Sequence, residues 1–187
     1  MLKTKVMGSG LLHLTDARYF ASRGATWLGF EVGTPSTFKE NALKLAAIKE
    51  WVDGVSIIGQ FDVQTVENIV EWIQISGVEG IQLPSHRSLD LLPFLPSEML
   101  VIIDFSQNED PVLMKNLSTF SNAFLLNPSP QHYDYPIIYN WNENSEPLLN
   151  FIEKYSPEGI ALRGGLEEKV GVKSFDDLDE IMDVLSF

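Results

Sequence analysis

Residues 5–32 read KVMGSGLLHLTDARYFASRGATWLGFEV. An apolar run at KVM meets glycines, a stretch follows with Ala17, Phe20, Ala21 and Gly24 at helical spacing, and a second apolar run, WLGFEV, closes the segment. Strand, helix, strand within one short span is the βαβ unit of a parallel sheet, because parallel neighbours need a crossover between them. Six further runs of the same kind lie beyond it: VSIIGQF, EGIQL, MLVIIDF, NAFLL, PIIYNW and EGIAL. Most of the eight lack polar alternation, as expected of strands covered on both faces.

The intervening segments carry helical periods. Val66, Ile69, Val70 and Ile73 form one stripe, with Gly77 placed to end the helix in a left-handed cap. Leu148, Phe151, Ile152 and Tyr155 form another, stopped by Pro157, and Leu178, Ile181, Met182 and Leu185 a third, led by Ser174 as N-cap. Asp110 before Pro111 predicts a helix with proline in its first turn. SHRSLDLLPFLP allows at most two turns before Pro93, and NPSPQHYDYP reads as a loop. Eight strands in 187 residues leave about 23 residues per unit, the span of a strand, a helix and two short turns. The pattern predicts one domain over residues 1–187, a compact (βα)8 TIM barrel with shortened or missing helices after strands 4 and 6. An open flavodoxin-like sheet is the alternative; it would demote EGIQL or NAFLL.

Thirteen Lys and Arg against 26 Asp and Glu give a net charge of -13, which repels nucleic acid and anionic membrane surfaces. The absence of cysteine excludes disulfides, thiolate metal sites and a thiol nucleophile. No apolar run approaches a membrane span. A soluble cytoplasmic protein is expected, with no cofactor. His13, His86 and His132 lie too far apart in sequence to suggest a metal motif.

In a barrel, chemistry gathers where strands end and βα loops begin. The residues there include Met7, Glu31, Asp62, Gln82, Asp104, Asn127, Asn140 and Arg163. Residues 5–32 resemble the opening of phosphoribosylanthranilate isomerases, in which K-[IV]-C-G, a D-A helix and G-A-x-x-L-G-F follow in order. IIGQF, GIQLPS, AFLLNPS and RGGLEEKVGVKS resemble the third, fourth, sixth and eighth strands of that family, collinear over nearly the whole chain. The resemblance implies a barrel of tryptophan biosynthesis that converts an aminoaldose phosphate into an aminoketose by Amadori rearrangement. It also implies that the base stands at Met7 and the acid at Asn127, where the family has cysteine and aspartate. Neither replacement can transfer a proton: a thioether has no useful basicity and a carboxamide no acidity.

Other positions depart too. Ser36 replaces the family's arginine, Pro84 its histidine, and Tyr139, Asn140 and Trp141 occupy the place of a glycine turn that holds phosphate. Arg163, Gly164 and Gly165 leave room for an anion-binding concavity, or else form a glycine turn beside a surface arginine. Gln82 retains the family residue and serves either a ligand or the barrel's own backbone. Glu31, Asp62 and Asp104 form a carboxylate cluster at the mouth if all three point inward, and solvated rim residues if they do not. Three functions follow as expectations: an isomerase-like protein with impaired or lost activity, a non-catalytic barrel binding a small phosphorylated ligand, or an interaction protein whose mouth is filled by Met7, Tyr139 and Trp141.

Overall fold

The structure, a computed structural model, describes residues 2–34, 36–62, 64–129, 131–141, 147–164, 167–169 and 172–186. Eight parallel strands close into a barrel in sequence order: β1 (Lys5–Leu11), β2 (Trp27–Glu31), β3 (Ser56–Gln60), β4 (Gly80–Pro84), β5 (Leu100–Asp104), β6 (Ala123–Leu126), β7 (Ile137–Asn140) and β8 (Gly159–Arg163). β8 pairs with β1, so no edge is left open. The (βα)8 architecture expected from the sequence is therefore the one observed, and the open sheet is excluded.

Helices α1 (Leu14–Ser22), α2 (Phe38–Lys49), α3 (Val66–Ser76), α4 (Ser85–Leu91), α5 (Pro111–Leu117), α6 (Leu148–Tyr155) and α7 (Asp176–Leu185) follow the strands. Their ends obey local chemistry. Gly77 closes α3 at φ 63°, and the Asp110 carboxylate accepts the Val112 and Leu113 N–H groups at 3.0 Å each, with Pro111 opening α5. At α7, Ser174 Oγ accepts the Asp176 N–H at 3.3 Å, although the helix begins one residue later than a cap at Ser174 implies. α4 has two turns and passes into a 3-10 turn, Leu92–Phe94. No helix joins β6 to β7 among the described residues; Tyr133 and Tyr135 of that connection pack on the core instead, with Tyr135 edge-on to Phe124 at 5.6 Å. A short antiparallel pair, β9 (Glu167–Lys169) and β10 (Val172–Lys173), stands after β8.

Two apolar clusters divide the strand side chains by parity. The outer one lies between strands and helices and holds Phe20, Trp72, Phe105, Phe124, Tyr139, Trp141 and Phe151. The inner one fills the barrel with Met7, Trp27, Ile58, Ile102, Ala123, Leu125, Ile138 and Ala161. Side chains alternate along each strand, so these inner residues settle which neighbours face the mouth: Ser9, Glu31, Gln60, Gln82, Asp104, Asn140 and Arg163. Trp51 is 63% exposed, with the Arg18 guanidinium 5.3 Å above its ring.

The Asp110 cap gives the first prediction. Asp110→Ala should lower stability by about 1 kcal/mol, and with it the melting temperature by roughly 2–4 °C, while Asp110→Asn keeps most of both. Thermal melts of the three proteins check it.

Candidate functional site

β1 does not stop at its glycines but runs on to Leu11 through a bulge, since its pairing with β2 slips between Gly8 and Leu11. Gly10 takes φ 67° there, a left-handed backbone that side chains rarely adopt. The bulge turns the Gly10 N–H onto Gln60 Oε1 at 2.8 Å. Gln60 Nε2 donates to Ser9 Oγ at 2.9 Å and to Gln82 Oε1 at 2.8 Å; Gln82 Nε2 donates to Asp104 Oδ2 at 2.9 Å. The Ser106 N–H closes the line on Asp104 Oδ1 at 2.8 Å. A ladder of side chains thus crosses the mouth from β1 through β3 and β4 to β5. Each carboxamide in it both donates and accepts, which suits the buried Gln82 and the half-buried Gln60.

Above one end of the ladder opens a cleft of about 500 Å³, lined by Ser9, Gly10, Glu31, Val32, Gly33, Thr34, Gln60, Phe61, Asp62, Gln64, Asn140 and Arg163. Its rim is tied together by the buried Gln64, whose Nε2 donates to the Gly33 carbonyl at 2.9 Å and whose Oε1 accepts the Asp62 N–H at 2.8 Å. Arg163 faces Glu31 at 3.7 Å, with the two side chains 78% and 46% exposed, a separation and setting in which an ion pair contributes little and opens readily. Among the described residues, no partner is recorded for the Asp62 carboxylate or the Asn140 carboxamide, and both face the cleft.

The expected site residues are only partly brought together. Met7 is fully buried in the inner cluster. Asn127 lies exposed beyond the end of β6, its Nδ2 donating to the Ser106 carbonyl at 2.8 Å. Glu31 and Asp62 line the cleft, whereas Asp104 is held by Gln82 and Ser106 outside it, so the three carboxylates do not converge. Among the described residues, no group of three acidic or histidine side chains is placed to hold a metal ion. The Gly164 N–H already donates to the Ser9 carbonyl at 3.1 Å, and Gly165 lies outside the described residues.

The mouth filled by Met7, Tyr139 and Trp141 is corrected outright. Tyr139 and Trp141 face the helix layer, with ring centres 4.9 Å and 5.2 Å from Phe151, because Asn140 between them takes the inward parity. Gln60 and Ser9 went unnoticed in the sequence, because β3 ends at Gln60, two residues before Asp62. The signal was the shared glutamine of IIGQF and GIQLP, which are register partners.

The chain superimposes on phosphoribosyl anthranilate isomerase from Thermus thermophilus with a TM-score of 0.73, covering 96% of this chain and 97% of that one at 22% identity. The barrel has the fold of the phosphoribosylanthranilate isomerases. The Thermotoga maritima isomerase matches with a TM-score of 0.72 at 20% identity, covering 97% of each chain. TrpF from Jonesia denitrificans matches at 0.71 and 13%, over 97% of this chain and 96% of that one. By sequence, no family model and no curated protein matches the chain. No helix among the described residues is long and apolar enough to cross a membrane.

Burial pushes the Tyr139 phenol from an ordinary 10.0 up to about 12, with the Glu109 carboxylate adding to it. Tyr19 and Tyr133 are raised as well, by burial first and then by hydrogen bonds to Asp179 and Glu109. The folded value exceeds the unfolded one, so the stability that the neutral phenol carries below pH 10 is lost as pH climbs toward about 12. Tyrosinate absorbance should therefore lag behind that of the denatured chain across this window, and Tyr139→Phe should unfold at higher pH than the parent protein.

Proposed function

We propose that this protein is a barrel of the isomerase fold that no longer performs the Amadori proton transfers and instead holds a small polar molecule in its mouth. The observation that carries this reading is the chemistry at the two inherited positions: a buried thioether at Met7 and a carboxamide at Asn127. The rearrangement needs an acid to open the ribose ring and a base to take the C2 proton. General acids and bases typically supply roughly 10² to 10⁴ in rate each, so losing both removes at least about 10⁴.

Binding is a separate matter. One neighbour of the same fold, at TM-score 0.72 and 20% identity, is a complex with reduced 1-(o-carboxyphenylamino)-1-deoxyribulose 5-phosphate. For this chain, the open cleft with Arg163 at its edge supports a ligand of related class, a small phosphorylated sugar. The Glu31 and Asp62 carboxylates and the committed Gly164 N–H make the site less suited to a dianion than to a ligand rich in hydroxyl or amine donors. A sugar phosphate is therefore expected to bind mainly through its sugar.

The test pairs turnover with binding. Purified protein given phosphoribosylanthranilate should isomerise it at least about 10⁴-fold more slowly than a working isomerase, and its gene should not rescue a tryptophan auxotroph lacking that enzyme. Turnover at ordinary enzyme rates overturns the loss of catalysis. Ribose 5-phosphate and the reduced analogue should raise the melting temperature of the parent, and by less in Arg163→Ala and Asn140→Ala. The absence of any shift removes the binding half.

A further inference from the structure

We propose that Gln60 sets the depth of the cleft: its carboxamide, held across the mouth, keeps a bound molecule away from position 7 whatever residue stands there. The inference rests on the reading above that position 7 is where the fold's base belongs, but it concerns access and not turnover.

Strand register places the two side chains one above the other. Met7 lies opposite Trp27, one inward rung below Gly29, while Gln60 lies opposite Glu31, one inward rung above it. Both side chains reach over Gly29: a Cβ built on that residue would stand 2.6 Å from Met7 Cε and 2.9 Å from Gln60 Cδ. Glycine at this rung leaves the space that both enter, Met7 from the barrel interior and Gln60 from the mouth. The thioether is fully buried as a result, while Gln60 remains partly exposed and lines the cleft.

Gln60 is also held in place. Its oxygen accepts from Gly10 and its nitrogen donates to Ser9 and Gln82, so swinging the carboxamide aside breaks three hydrogen bonds to two other strands. Leaving such groups unpaired at a half-buried site is costly, which makes the amide a fixed floor rather than a mobile lid. A molecule in the cleft then meets Ser9, Asn140, Glu31 and Arg163 at the level of the ladder and goes no deeper. Replacing Met7 by cysteine would restore the chemical type of the base but leave it sealed.

The chain has no cysteine, so one introduced thiol reports its own accessibility. Met7→Cys, Met7→Cys with Gln60→Ala, and Asp62→Cys as an exposed cleft control are each treated with a disulfide reagent such as 5,5′-dithiobis(2-nitrobenzoate), folded and in guanidinium. In the folded proteins the thiol at position 7 should react at least about 100-fold more slowly than the one at position 62, and removing the Gln60 side chain should recover most of that factor. In guanidinium all three should react alike. Circular dichroism and a cooperative melt establish that each variant is folded, and Gln60→Ser replaces Gln60→Ala if the latter is not. A folded Met7→Cys protein that reacts as fast as the control overturns the proposal, and so does protection that persists after Gln60 is truncated. Isomerase turnover by the parent protein would overturn the proposed function and leave this result standing; a freely reactive thiol at position 7 would do the reverse.

Discussion

Closing eight parallel strands into a ring divides their side chains between two places that do not communicate. Residues of one parity enter a narrow interior, those of the other pack under helices, and a shift of one residue would exchange the sets. Here the lower interior is filled by Trp27, Met7 and the aliphatic residues of β3 and β5 to β8, an apolar cluster apart from the one beneath the helices. Everything polar that points inward is therefore pushed to the strand ends, where it meets water. The mouth is polar because the interior has no room for it elsewhere.

Within that mouth the polar groups are spent on one another. Ser9, Gln60, Gln82 and Asp104 pass hydrogen bonds along four strands, and the Gly10 and Ser106 N–H groups close the line. Carboxamides suit such a chain because they donate and accept at once without carrying charge into a half-buried site. The cleft above the ladder is lined by the less committed groups, Asp62, Asn140 and the loosely paired Glu31 and Arg163.

Much of this is legible in the amino-acid sequence alone. The eight apolar runs, the cap at Asp110, the left-handed stop at Gly77 and, among the described residues, the helix-free connection NPSPQHYDYP depend on neighbours within a few residues, and each is found in the structure. The thioether at Met7 and the carboxamide at Asn127 are equally plain, since a side chain's chemical type is written in its letter. What failed were statements about direction. Tyr139 and Trp141 were expected to block the mouth, and they face Phe151 in the helix layer.

The amino-acid sequence by itself determined the alternation of strands and helices and the chemical type of each side chain, the thioether of Met7 and the carboxamide of Asn127 among them, because periodicity, capping and functional groups are local properties. Only the closed barrel decided that Gln60 lies over Met7, that Glu31 faces Arg163 while Asp104 is held by Gln82, and that a cleft stays open beside Glu31 and Arg163. Those facts depend on which residues of separate strands share a rung and a face. That register is set by how all eight strands close on one another, and no single strand contains it.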